Sequence, residues 1–318
     1  MRLAWIDPQK ANPAKGLALP DRDQLVREHV SKLLSVVDAS GEVAAYAALW
    51  LDVPNGPDGK PSAFIGHFAS NDVDHSKALL TALADEAAGA GRRRILVPID
   101  GSTWRSYRVT VESNGRAPFF LEPQTPAHWE AHFAAAGFHR AEMYASLELE
   151  NLAPFAGPDA YGQELAAAGV TVRDFDMQNF DRDLVKLHAL SLKAFAANPY
   201  YAPLALEDFA AMYRPAVFLY EPGLALAAER NGEALGFIFA YRDGPEKKTT
   251  VLKTIAVSPD IREAGLARHL TGRVLGRAHA LGCASAVFAL MHERNKSFSW
   301  ASRHGTVFRR YALMAKDL

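Results

Sequence analysis

The chain is poor in cysteine: Cys283 is alone among 318 residues. A single thiol forms no internal disulfide, and a reducing cytoplasm is the expected setting. Neither sign of charge is in excess. The formal net charge of -1 gives no overall field to gather nucleic acid or an anionic membrane, so ligands must be read from local sites. No apolar run approaches the roughly 18 residues of a membrane span. The opening MRLAWIDPQK lacks the basic, apolar and small-residue order of a secretory signal. A Walker loop and a dinucleotide glycine fingerprint are both missing. NGPDGKPS, residues 55–62, lies between two strands without the G-x-x-x-x-G-K-[ST] spacing and reads as a turn. His128 and His132 stand four apart with His139 nearby, but the order is H-W-E-A-H and no carboxylate is placed as a third ligand, so no metal is expected. Cys283 opens an apolar strand without histidine and acid partners at a recognisable spacing, which makes it a small buried hydrophobe rather than a nucleophile.

What is present is repetition. With 49% apolar and 22% charged residues, the chain has an ordinary globular composition and the length for two domains. GEVAAYAALWLD (residues 41–52) is echoed by GEALGFIFAYRD (232–243). The strand FIGHFASND (64–72) is echoed by LKTIAVSPD (252–260), and each leads into a helical stretch. In the second helix Leu266, Leu270, Val274 and Ala278 fall four apart on one face, and Gly282 is a natural stop. RILVPI and SAVFALM are the strands that follow. Both copies then close alike, with HWEAHFAAAGF before HRAEMYASLEL and NKSFSWASRHG before TVFRRYALMAKDL. ENLAPFAGPDAYG, with two prolines and two glycines, suits a linker and puts the boundary between residues 152 and 153.

The copies differ between strand and helix. DIREAGLARHL (260–270) makes a longer loop with a glycine, whereas the first copy has only DVDHSKAL before its apolar helix. Arg262, Gly265 and Ala267 spell R-x-x-G-x-A. A glycine there lets backbone approach a ligand, and the free N–H groups of the first helical turn favour a phosphate or pyrophosphate.

REAGLA after VLKTIAVSPD, with Asn295 after SAVFALMHER, resembles the GNAT superfamily of acyl-CoA-dependent N-acetyltransferases. The resemblance covers residues 170–318 well and 20–150 more faintly. It implies an α/β (α+β) fold of two GNAT-like domains, each a mixed, mainly antiparallel sheet flanked by helices: a degenerate domain at 1–152 and an acyl-CoA-binding domain at 153–318. It implies acetyl-CoA as co-substrate. The amides of Glu263, Ala264, Gly265, Leu266, Ala267 and Arg268, with Arg262 beside them, would hold its pyrophosphate, and Asn295 would contact it. Amides of Ile255, Ala256 and Val257 would polarise the thioester carbonyl. The amine would then attack directly, without an acyl-enzyme.

Many relatives carry a tyrosine seven positions after the asparagine to protonate the leaving thiolate; here that position is Ser302. Ser302 or a water it holds is one candidate donor. Lys253, which interrupts an apolar strand, and His292, which ends one, are candidates facing the acyl group or the amine, against the reading of plain strand-edge polarity. Arg268 is a candidate for a CoA phosphate, while Arg273 and Arg277 read as a solvated helix face. Tyr200, Tyr201 and Tyr213 either line an acceptor pocket or pack a core. The expected partner is a small-molecule amine, with no nucleic acid and no membrane. The rival expectation is a non-catalytic acyl-CoA-binding sensor or scaffold.

Overall fold

The computed structural model describes residues 2–7, 9–10, 13, 17–155, 160–261 and 265–318. The first half runs β1 (Arg2–Trp5), α1 (Arg22–Arg27), β2 (Lys32–Val37), β3 (Val43–Trp50), β4 (Ser62–Ser70), α2 (Val73–Gly89), β5 (Arg94–Val97), β6 (Val109–Ser113), α3 (Trp129–Ala135) and β7 (His139–Leu149). The second runs α4 (Ala160–Ala167), β8 (Thr171–Asp174), α5 (Phe180–Phe195), α6 (Leu206–Tyr213), β9 (Ala225–Arg230), β10 (Glu233–Asp243), β11 (Thr249–Val257), α7 (Leu266–Ala280), β12 (Ser285–His292), α8 (Lys296–Ala301) and β13 (Thr306–Asp317). The repeated order of strands and helices expected from the sequence is present in both halves. One boundary moves. Asp72 caps α2 and the helix starts at Val73, so most of DVDHSKAL is already helix rather than a lead-in to one.

The described strands form one continuous sheet in the order β1-β2-β3-β4-β5-β13-β7-β12-β11-β10-β9-β8, with β6 added beside β13. Pairing is antiparallel except for β4 with β5 and β11 with β12. Each parallel pair needs a crossover, and α2 and α7 supply them. The closing strands are exchanged. β13 pairs with β5 (Met314 opposite Val97) and β7 pairs with β12 (Ala286 opposite Leu149), so each half's parallel pair is continued by the last strand of the other half. The two exchanged strands also pair with each other from Thr306 opposite Glu148 to Ala315 opposite His139.

Packing follows the exchange. Leu79, Leu80 and Leu83 of α2 share a core with Ala312 and Met314 of β13. Leu266, Leu270, Val274 and Ala278 of α7 share one with Ala145, Leu147 and Leu149 of β7. All four of the α7 residues are buried, as their spacing requires. Full burial of each leucine contributes about 1.5–3 kcal/mol, so each crossover helix is held partly by the other half's strand. Among the described residues no helix is long and apolar enough to cross a membrane.

Candidate active site

The parallel pairing of β11 with β12 runs from Thr249 opposite Ser285 to Leu252 opposite Phe288 and stops there, although the strands continue to Val257 and His292. Beyond that point they fork. Two irregularities accompany the fork. β11 loses register against β10 between the partners of Phe239 and Ala240, which leaves Lys253 as the extra residue of a bulge. β12 breaks against β7 between Phe288 and Met291, with Leu290 at φ 56. A bulge bends its strand and redirects a side chain, and a non-glycine residue at positive φ is held there by its surroundings.

The fork opens into a cavity of about 1260 Å³. Lys253, Ile255, Gly265, Ala267, Arg268, His292 and Asn295 line it, so the structure brings together residues up to 42 positions apart that the sequence suggested. Others fall elsewhere. The side chains of Leu266 and Ala256 are buried in the core and that of Val257 packs against it, which leaves only their backbone amides, the groups the sequence suggested, to face a ligand. Ser302 is exposed at the end of α8, outside the cavity wall, with Oγ donating to the Ser299 carbonyl at 3.3 Å. Arg262, Glu263 and Ala264 lie outside the described residues. Of the three tyrosines, Tyr201 and Tyr213 line the cavity, whereas Tyr200 is buried edge-on against Phe64 in the first half's core.

Helix α7 starts at Gly265, φ 93, with no side-chain cap on its first turn. Uncapped amides and the positive end of the helix dipole suit an anion. A Cβ at residue 265 would overlap the ring of Tyr161, whose hydroxyl accepts from Arg268 Nη1 at 2.8 Å. Asn295 opens α8 and its side chain makes no cap bond either, while its N–H donates to the His292 carbonyl at 2.9 Å.

His292 is buried with both ring nitrogens engaged. Nδ1 accepts from the Arg294 N–H at 3.1 Å, which places the proton of the neutral ring on Nε2, 2.9 Å from Glu142 Oε2. Burial pushes the Glu142 carboxyl up, but hydrogen bonds from His292 and Arg294 outweigh it and hold the group below its ordinary value. The imidazole stands edge-on to Tyr144 at 4.9 Å. Its geometry positions that ring rather than leaving a free base.

Lys253 is different. Its Nζ donates to the Leu121 carbonyl at 3.1 Å. Burial, with the positive charge of Arg108 added, lowers its pKa to about 8 against the opposing pull of Glu122. A lysine so placed is still mostly protonated at neutral pH, but it has a minor neutral fraction that can accept a proton and that grows as the pH rises through about 8.

Several wall residues come from stretches with no chemical signature in the sequence. Tyr161 lies in what reads as a linker. Arg108, Trp104 and Glu122 come from irregular segments of the first half, where no periodicity marks a side chain for the site. Glu122 is buried and accepts from Arg309 Nη1 at 2.6 Å, from the Phe119 N–H at 3.1 Å and from the Tyr311 hydroxyl. Burial raises the Tyr311 pKa, and the bond to Glu122 adds to it, which keeps the phenol protonated. Trp104 reaches across to the second half, with Nε1 donating to the Ala202 carbonyl at 2.9 Å.

Residues 187–304 match the acetyltransferase (GNAT) family. No curated protein matches the chain in sequence. Among solved structures, the chain is similar to a probable N-acyltransferase of Enterococcus faecalis (TM-score 0.60, 10% identity, 99% of this chain and 72% of that one). It is similar as well to a tandem GNAT protein from the clavulanic acid biosynthesis pathway (TM-score 0.51, 15% identity, 97% and 90%). A third likeness is to a GCN5-related glucosamine N-acetyltransferase region in a fungal multi-domain β-N-acetylglucosaminidase (TM-score 0.53, 13% identity), where the match covers 93% of this chain but only 34% of the fungal one. At these identities the likeness is one of fold. The family match over α5 to α8 takes in the forked strands and the uncapped helix start, and the solved structures show that the fold of the whole chain is GNAT-like, with a tandem GNAT protein among those it is similar to.

Proposed function

We propose that the chain moves an acetyl group from acetyl-CoA to a small amine by direct attack, in the cytoplasm, with one acyl-CoA site in the domain 153–318. The domain 1–152 is degenerate and serves as scaffold and roof. The observation that carries this reading is the forked β11/β12 pair opening onto a large cavity beside the uncapped start of α7. The pyrophosphate would lie at that helix start, with Arg268 and Asn295 nearby, and the acyl arm in the fork past Ile255. The residue types fit: among the described residues the helix start offers uncapped amides, and the charged side chains lining that end of the cavity are cations, Arg268 and Lys296, rather than carboxylates.

In this reading Lys253 takes a proton from the acceptor ammonium. The free amine adds to the thioester carbonyl, the oxyanion is stabilised by strand amides near Ile255, and the tetrahedral adduct collapses by breaking the C–S bond. The proton on Lys253 passes to the departing thiolate, and the second amine proton leaves to solvent. Ser302 has no part in this scheme because its hydroxyl is outside the cavity and already bonded. His292 is a positioning residue for Tyr144 and the end of β12. Cys283, buried and with its pKa raised by burial, is not a nucleophile.

The test is release of free CoA from acetyl-CoA with a panel of amines, followed as a function of pH. Only the neutral form of Lys253 accepts a proton, so kcat should rise with pH and level off above about 8. Lys253→Met should lower kcat about 100-fold or more and remove that limb. A limb unchanged in the variant would reassign the base, and no CoA release with any amine would remove the transfer reading.

A further inference from the structure

Arg108 is the least expected residue in the cavity wall. It opens the turn into β6 at φ 76, and its side chain reaches the mouth of the other half's fork. The residue is 6% exposed. Its guanidinium is clamped between the rings of Tyr107 and Tyr144, 3.8 and 4.2 Å from their centroids, and Nη1 donates to the Leu290 carbonyl at 3.0 Å. Its Nε is buried without a hydrogen-bond partner. Among the described residues Arg108 has no carboxylate partner within salt-bridge distance.

A buried cation without a counter-ion is costly. The surroundings do not supply one. The cationic side chains in the wall are Arg105, Arg108, Lys253, Arg268, Lys296 and Arg303, and the carboxylate among the described lining residues is Glu122. That carboxylate is already shared by Arg309, Tyr311 and the Phe119 amide. Arg268, Lys296 and Arg303 lie with α7 and α8, at the end where the CoA phosphates belong, and Arg105 faces Glu28 at 3.8 Å. The positive charge of Arg108 is therefore unbalanced among the described residues, and it acts on Lys253 in the wall of the same cavity.

We infer that the acceptor is an amine bearing a carboxylate, and that Arg108 binds this carboxylate while the amine faces Lys253. The inference rests on the acyl-transfer reading and deepens it. A guanidinium fixed flat between two rings offers its remaining donors in one plane, the arrangement that matches the two oxygens of a carboxylate. Arg108 and Lys253 line the same cavity, so one acceptor can present its carboxylate to the first and its amine to the second, and the α-amino acids are the simplest such compounds to test. Diamines and polycationic sugars would bring a second positive charge against Arg108 and are excluded on the same ground.

Two measurements on the full-length chain test this. The first is CoA release with the α-amino acids, each against its carboxamide, with phosphoethanolamine and a diamine as further arms. At least one amino acid should exceed its carboxamide about 10- to 100-fold in kcat/KM, the range of a hydrogen-bonded charged pair. The second is calorimetry of the matching N-acetyl amino acid against its amide, which needs no turnover. The acid should bind more tightly, and Arg108→Gln should erase the difference while Arg108→Lys restores part of it.

Failure can be assigned. CoA release with equal rates for acids and carboxamides, or faster release with the diamine, overturns the carboxylate and leaves acyl transfer standing. Preference for phosphoethanolamine overturns the carboxylate in favour of a phosphate. A carboxylate preference in calorimetry without CoA release from any amine upholds the anion site and overturns the transfer. No binding of any N-acetyl amino acid at about 10 mM overturns the inference, and because this is read on the unaltered chain it does not depend on the variants folding.

Discussion

The two parallel strand pairs are built alike and end differently. In the first half the chain leaving β5 folds back into its own fork: the Ile99 N–H donates to the Ile65 carbonyl at 2.8 Å, and the Asp100 carboxylate accepts from the His67 N–H at 2.7 Å. Gly66 permits this approach, because a Cβ there would overlap the Ile99 carbonyl and Asp100. In the second half the matching fork stays open and its walls line a cavity. The helix starts differ in the same sense. Asp72 caps α2, its carboxylate accepting from the His75 N–H at 2.8 Å, while Gly265 leaves the first turn of α7 without a side-chain cap. A capping carboxylate stabilises its helix and repels an anion with the same oxygen. The same scaffold thus holds together with its fork filled from within the chain in one half and open in the other.

The largest effect should come from separating the halves. Expressed alone, residues 153–318 lose β7 and β5, the neighbours of β12 and β13, and expose strand edges and apolar faces that promote association. They lose Arg108, Glu122 and Tyr144 from the cavity wall as well. The fragment should be aggregated or should fail to bind acetyl-CoA by calorimetry. A soluble monomer that binds acetyl-CoA and acceptor as the whole chain does would make the first half a separate module.

Sequence reasoning reached the elements and the helix start but not the exchange. Alternation and four-residue spacing identify β11, α7 and β12 because those signals are local. Which strand lies beside β5 is a long-range matter. HRAEMYASLEL and TVFRRYALMAKDL are equally apolar closing strands, and nothing local says that each pairs across the boundary. The roof was hidden for a related reason: Arg108 and Glu122 acquire meaning through contact with residues nearly two hundred positions away, Leu290 and Arg309. Ser302 shows the converse. Its spacing from Asn295 matches a known pattern, but α8 ends at Ala301 and turns the hydroxyl outward.

Next in size is Gly265→Glu. The new side chain meets the Tyr161 ring, must adopt φ 93 and sets a negative charge at the helix start, so affinity for acetyl-CoA should fall on the order of 100-fold. Unfolding should remain cooperative, since Gly265 faces the cavity rather than the packed face of α7. Unchanged affinity in calorimetry would move the pyrophosphate elsewhere, and two equal sites in the unaltered chain would erase the contrast between the halves.

The smallest effect should come from Asp72→Ala, which removes the carboxylate that distinguishes the two helix starts. Loss of an N-cap costs about 1 kcal/mol, to be read as a lower denaturation midpoint with an unchanged m-value. Acetyl-CoA affinity should not change, and calorimetry should still give one site per chain. Uncapping α2 frees amides, but the fork beside them remains filled by Ile99 and Asp100, and an acyl arm has nowhere to lie. This variant therefore separates the two differences between the halves. If a second acyl-CoA site appeared on removing Asp72 alone, the capping carboxylate would be what silenced the first half, and the closed fork would count for little.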